Sequence, residues 1–395
     1  MTSAAESTNN VFDQCKPIDV DTHITEPPDV WTSRVASKWG DRVPHIAQQD
    51  GRDHWVIGNE VVGGPGFYSA AGFSGSFPDS REGYHDIPKS TFEAKERLRY
   101  MDEEGIWAAV LYPNVGGFGS GGFLKLGEPE LMLECVRAYN DFLVEWCSEA
   151  PDRLLPVAAM PFWDVEESVK EVQRAAEAGH KSILACSEPQ AFGQPRLTDR
   201  HWEPFWAAVQ ETGLPVSFHI GAGDLSELAG GLSLGAKATF SRVSSTVFMQ
   251  NMNCIADLIF GGVCHRFPSL NLISVESGVG WVPSFLEACD WQWSNGEVAK
   301  DHPEYDLLPS EYFKRQIYAC FWFETAALRA SIEQLADNVC WETDFPHPTC
   351  QHPDGPELGY AQRPRDYVNS TMGDLDRSVV EKVLHSNAAK LYGLE

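Results

Sequence analysis

Eight short runs of apolar and β-branched residues recur along the chain, and most are followed by a longer segment with helical spacing. This alternation restricts the fold more than any other feature. The runs are PIDVDTH (17–23), AAVLYP (108–113), LLPVAAMPF (154–162), KSILACS (181–187), PVSFHIG (215–221), NLISVES (271–277), RQIYACFWF (315–323) and NVCWETDFP (338–346). Most are apolar throughout, as expected of strands covered on both faces of a parallel sheet. Between them, residues 129–150 carry Leu131, Leu133, Val136, Tyr139 and Leu143 on or near one stripe. Residues 164–179 open on Asp164 as an N-cap and close on Gly179, and residues 199–213 repeat that punctuation. Residues 280–293, 324–336 and 376–393 complete the helical set. Eight strand–helix units predict a (β/α)8 TIM barrel, with a doubly wound open sheet as the alternative.

A chain of 395 residues is accounted for by one such barrel, so a single domain over 1–395 is expected, with residues 1–16 disordered. Residues 40–90, containing GGPGFYSAAGFSGSFP, are too long for an ordinary connection and read as an insertion folded over the barrel mouth. Residues 222–240 read as a second insertion on the same face. The net charge of −27 leaves no basic stripe for a phosphate backbone, which argues against nucleic-acid binding. No apolar run approaches membrane-spanning length, the N-terminus lacks the pattern of a signal peptide, and the ten cysteines form no CxxC pair. A reduced, cytoplasmic protein with no membrane partner is expected.

The ends of the strands carry the chemistry. The first ends on Asp21 and His23, the fifth on His219, the sixth on Glu276, and the eighth on Asp344 followed by His347. In a barrel these ends converge at one mouth. Side chains two apart on a strand share a face, so Asp21 and His23 can grip one ion together, and imidazole with carboxylate suits Zn, Mn or Fe(II). A lone histidine at a strand end is usually a hydrogen-bonded core residue. Four strands ending on ligand-type residues are not something core packing requires.

DVDTHITEP at the start, SFHIG, HRFPSLNLISVESGVGWVPSFLE and the late ETDFPHP together resemble the amidohydrolase-related family, the branch of the amidohydrolase superfamily with aminocarboxymuconate semialdehyde decarboxylase. The resemblance runs from about Pro17 to the terminal NAAKLYG. It implies a (β/α)8 barrel with a divalent metal, often Zn or Mn, and frequently a homodimer. It places Asp21 and His23 in the family's first metal motif, with Asp21 as its acidic variant, His219 as the ligand of strand five, and Asp344 as the strand-eight aspartate that binds metal and handles a proton. Glu276 departs from the family, whose decarboxylases often keep a histidine there. It is either a residue that orients a ligand or a ligand for a second metal.

The expected function is therefore a metal-dependent hydrolase or carboxy-lyase acting on a small, hydrophobic, carboxylated organic molecule. One divalent metal (Zn, Mn or Fe) would be bound by Asp21, His23, His219 and Asp344, and Asp344, Glu276 and His219 would be catalytic. The alternative is a dinuclear non-heme iron monooxygenase on the same fold, with two irons and Glu276 on the second. A non-enzymatic binding module is the outside class. Gly117, Gly119 and Gly122 fit G-x-G-x-x-G, but the following helix starts too far on for a dinucleotide site, and a loop at the mouth explains them equally well. Trp202, Phe205 and Trp206 read as core, His265 as structural, and the acids of MDEEG (101–105) as a solvated helix end.

Overall fold

A computed structural model of the chain describes residues 10–75, 78–230, 233–355 and 362–394. The eight apolar runs become eight parallel strands: β1 (Ile18–His23), β5 (Ala108–Tyr112), β6 (Leu154–Ala159), β7 (Ser182–Leu184), β8 (Val216–His219), β9 (Leu272–Val275), β10 (Ile317–Phe321) and β11 (Val339–Trp341). They pair in that order. The last gap, from β11 back to β1, is bridged beyond the end of β11: His23 N donates to Phe345 O at 2.7 Å and Asp344 N to Asp21 O at 3.0 Å. The result is a nearly closed (β/α)8 barrel.

Every residue of the eight strands is buried, because one face fills the barrel and the other lies under helices. The interior holds Val20, Val110, Leu155, Val157 and Ile273, and the C-terminal helix Asn387–Tyr392 closes the bottom with Ala388, Leu391 and Tyr392. Each such aliphatic side chain contributes roughly 1.5–3 kcal/mol when removed from water. Outside, the helix Pro129–Cys147 lays Leu131, Val136, Tyr139 and Leu143 into the outer core. The helix Val165–Ala178 is stopped at both ends by its own sequence. Asp164 accepts from the backbone N–H of Glu166 and Glu167, and Gly179 takes the left-handed conformation at φ 98°.

The insertion contains a small antiparallel sheet, β2 (His45–Gln49), β3 (Arg52–Ile57) and β4 (Glu60–Gly63). The sequence signal for its first hairpin is Asp50-Gly51, both at positive φ in a two-residue loop between Gln49 and Arg52. After it, Phe67 and Tyr68 line a cavity together with Asp344 and His347. Of the N-terminal stretch expected to be disordered, residues 1–9 lie outside the described residues. Phe12–Gln14 form a 3-10 turn with Phe12 fully buried against Trp341. The MDEEG acids also divide. Glu103 is exposed, whereas Glu104 is buried and accepts from Arg363 Nε and Nη2 at 3.0 and 2.8 Å, which corrects the reading of a wholly solvated helix end. Among the described residues no helix is long and apolar enough to cross a membrane.

Candidate metal centre

The placement of Asp21 and His23 depends on a break in β1. Ile18 and Val20 point into the barrel, so strict alternation would send Thr22 inward and leave Asp21 and His23 outside. The register against β5 shifts between Asp19 and Thr22. A bulge of this kind re-aims the side chains beyond it. Thr22 donates to Val110 O at 2.7 Å and accepts from Arg97, while Asp21 and His23 meet His219 at the mouth. Asp19 faces β11, where its carboxylate accepts from Thr343 N and Thr343 Oγ1 at 2.9 and 2.6 Å.

His23, His219, Asp21, Glu276 and Asp344 converge. His23 Nε2 lies 3.4 Å from Asp21 Oδ1, 3.6 Å from Asp344 Oδ1 and 3.2 Å from His219 Nε2. His219 Nε2 lies 3.6 Å from Asp21 Oδ1 and 3.4 Å from Glu276 Oε2. The tautomers follow from the other ring nitrogens. His23 Nδ1 is 3.0 Å from Pro113 O and His219 Nδ1 is 2.7 Å from Ile220 O, and a carbonyl can only accept. Each Nδ1 therefore carries a hydrogen, and in the neutral rings the two Nε2 atoms face each other as acceptors. Both oxygens of Asp21 and Oδ2 of Asp344 are buried and receive no hydrogen bond from a described residue. Acceptors facing acceptors in a dry pocket are unfavourable unless a cation lies between them. Ligand atoms about 2.1 Å from one ion stand roughly 3.0–3.4 Å apart, so this donor set fits a single divalent metal.

The two strand ends that carry the acids are held in unusual backbone conformations. Glu276 has φ 54° and Asp344 φ 61°. Non-glycine residues in this region cost on the order of 1 kcal/mol or more and persist where surrounding contacts impose them. For Glu276 those contacts are two further buried acids. Glu342 accepts from Glu276 N at 3.3 Å, and Glu324 accepts from Val279 N and Gly280 N at 2.6 and 3.3 Å.

His347 completes the arrangement. Its Nε2 is 2.7 Å from Asn114 Oδ1, and the Asn114 amide is oriented by donating from Nδ2 to Ile24 O at 2.7 Å. His347 Nε2 therefore carries a hydrogen, and its Nδ1 is turned to Asp344 Oδ1 at 2.7 Å. That is shorter than the separation of two ligands on one ion, and close enough for one proton to be shared between the two atoms. Burial, reinforced by the charge of Asp21, pushes Asp344 well above the ordinary carboxylate range. Burial and Asp344 do the same to Glu276. Burial opposes the charge on Asp21 as well, but His219 and His23 outweigh it and hold Asp21 below its ordinary value. Burial pushes His347 down to about 3. With no cation present, these shifts favour a neutral pair with the proton on Asp344.

The five residues singled out in the sequence thus come together, and His347 joins them. Phe118, Asn114, Glu324 and Glu342 were not singled out. The glycine-rich loop carries Phe118 onto the imidazoles, with ring centroids 4.1 Å from His219 and 5.2 Å from His23. Gly119 is needed there because a Cβ would stand 2.9 Å from Ala222 O and Cys186 Cα. Its glycines therefore serve packing at the mouth. Trp202, Phe205 and Trp206 are core, and His265 contacts Asp306 and Tyr312 away from the centre.

A family model described as amidohydrolase matches residues 18–394. Gamma-resorcylate decarboxylase of Rhizobium sp. (strain MTP-10005) is 25% identical over 311 residues, covering 76% of this chain and 86% of the relative. The crystal structure of an amidohydrolase from Mycobacterium avium subsp. paratuberculosis K-10 is similar with a TM-score of 0.71 at 23% identity, over 96% of this chain and 99% of that one. 5-Carboxyvanillate decarboxylase from Novosphingobium aromaticivorans DSM 12444, solved with bound manganese and 3-methoxy-4-hydroxy-5-nitrobenzoic acid, gives a TM-score of 0.66 at 18% identity, over 96% and 98% of the two chains. The structural likenesses establish the barrel. None of these relatives is described as an oxygenase, and the dinuclear monooxygenase alternative gains no support from them.

Proposed function

The chain belongs to the amidohydrolase family, and from that premise we propose that it is a metal-dependent carboxy-lyase that removes CO2 from a carboxylated aromatic acid without oxidation. One divalent ion would be held by Asp21, His23, His219 and Asp344, with Glu276 flanking it. Manganese is the first candidate, since a structural relative was solved with it. The observation that carries the reading is the pair of imidazole Nε2 atoms 3.2 Å apart beside the buried carboxylate of Asp21, neither oxygen of which receives a hydrogen bond from a described residue.

A divalent ion in that position supplies Lewis acidity toward the substrate's carboxylate or a neighbouring hydroxyl. The chain's own residues do the rest. Phe118, over the two imidazoles, holds the ring and excludes water. The Asp344–His347 pair holds one proton. That proton passes to the ring carbon bearing the carboxylate, the carbon–carboxylate bond breaks, its electron pair returns to the ring, and CO2 leaves. Water then restores the proton to the pair. Hydrolysis is the second reading of the same residues, with the pair accepting a proton from an attacking water instead. It is favoured by no particular contact, whereas the relative of 25% identity is a decarboxylase.

The test is a carbon dioxide assay on manganese-loaded protein with hydroxybenzoates carrying one carboxylate, run under argon and under air. CO2 release without oxygen uptake is expected. Oxygen consumption coupled to product formation, or hydrolysis of an ester or amide with no CO2, overturns the reading.

A further inference from the structure

The cavity above the metal centre has a volume of about 620 Å³. A dry cavity of about 150 Å³ suffices for a benzene ring, about a quarter of this volume, so a single-ring acid leaves much of it unfilled. Serine and threonine hydroxyls and the acids of the metal centre touch the cavity, but its walls are mainly aromatic and aliphatic. One wall is Phe67 and Tyr68 from the insertion. A second, from the segment after β8, includes Phe240, Val243 and Phe248. A third is formed by Trp281, Trp322 and Phe323.

Charge narrows the occupant further. The charged side chains among the described lining residues are Glu276, Glu324 and Asp344, and none is lysine or arginine. A carboxylate of the substrate can be met by the metal ion. A second carboxylate elsewhere on the molecule would enter an apolar pocket with no cation to pair it and with the carboxyl of Glu324 beside it. We propose that the natural substrate carries a single carboxylate on an apolar body larger than one aromatic ring, such as a fused-ring or long-chain-substituted aromatic acid. This rests on the carboxylate-substrate reading above and adds the size and charge of the rest of the molecule.

The test measures binding and turnover separately on manganese-loaded protein, by calorimetry and by CO2 release, with three probes: benzoate, an anthracene monocarboxylate and an anthracene dicarboxylate. The monocarboxylate of three rings is expected to bind about tenfold or more tighter than benzoate, and the dicarboxylate about tenfold weaker than the monocarboxylate. Val243→Trp, which fills the second wall, is expected to weaken the three-ring acid about tenfold and leave benzoate within about twofold. Phe323→Ala, at a side chain 62% exposed and so safe for folding, is expected to weaken the three-ring acid alone. Equal affinity for benzoate and the three-ring acid, or for the mono- and dicarboxylate, overturns the inference. The expected binding order supports it whether or not a probe releases CO2, and failure of the decarboxylase reading is read separately from the hydroxybenzoate assay.

Discussion

His347 Nδ1 sits 2.7 Å from Asp344 Oδ1 because Asn114 has claimed the other ring nitrogen at 2.7 Å. The carbonyl of Ile24 prevents the Asn114 amide from turning over, so the imidazole tautomer is set by a chain of fixed contacts. Replacing His347 by Gln should leave metal content unchanged and lower kcat by roughly 10²–10⁴, the usual contribution of a positioned acid or base. Asn114→Ala should lower kcat less and alter the pH profile, because nothing then holds the hydrogen on Nε2. Metal analysis alongside steady-state kinetics distinguishes this from a ligand role for His347, which would lower metal content as well.

His219→Ala should remove most of the bound metal while far-ultraviolet circular dichroism stays native. The side chain is fully buried, but its partners are other site residues and one carbonyl rather than the packed barrel interior. Unchanged metal stoichiometry in this variant would remove the ligand assignment.

Glu276→Gln separates one ion from two. With a single ion the variant should keep close to one equivalent of metal and lose turnover, since Gln preserves shape without charge. Two equivalents in the native protein, falling to one in the variant, would restore the dinuclear alternative.

Metal removal should be tolerated less as pH rises. Burial raises Asp344, Glu276 and Glu342 well above their ordinary values, and raises Asp19 to about 8. An acid whose folded pKa is raised binds its proton more tightly when folded, so its contribution to stability is complete at low pH and is lost as pH climbs through the folded value. Asp21, held low, is ionised in both states above pH 5, while His23 and His347, both pushed down to about 3 by burial, act in the opposite sense only up to the ordinary histidine value of about 6.5. The gap in Tm between manganese-loaded and chelated protein should therefore widen from pH 7 to pH 9. A constant gap would mean that the carboxylates are not strained by the absence of a cation.

The helix Val165–Ala178 offers a control away from the site. Asp164→Ala removes a cap that accepts two backbone N–H groups at 3.0 Å, and should cost about 1 kcal/mol in denaturant unfolding with metal content and turnover unchanged.

Much of this protein was legible locally. A strand covered on both faces must be apolar throughout, so the eight runs could be read directly, and the Asp164 and Gly179 caps marked a helix because each satisfies backbone groups within four residues of itself. That the strand ends bearing Asp21, His23, His219, Glu276 and Asp344 would share one mouth followed from the barrel alone. Other features had no local signature. By alternation from Ile18 and Val20, Asp21 and His23 should face away from the centre. They face it because the register against β5 shifts, which depends on a strand more than eighty residues later. Phe118 and Asn114 lie in and beside a loop whose sequence says only that glycine is tolerated. Their positions over His219 and against His347 come from the backbone of Ala222 and Cys186 and from the carbonyl of Ile24. The sequence by itself determined which residue types stand at the strand ends. Tertiary structure decided which nitrogen of each histidine is free and where the proton rests, because a tautomer is set by whatever carbonyl or amide lies within hydrogen-bond reach.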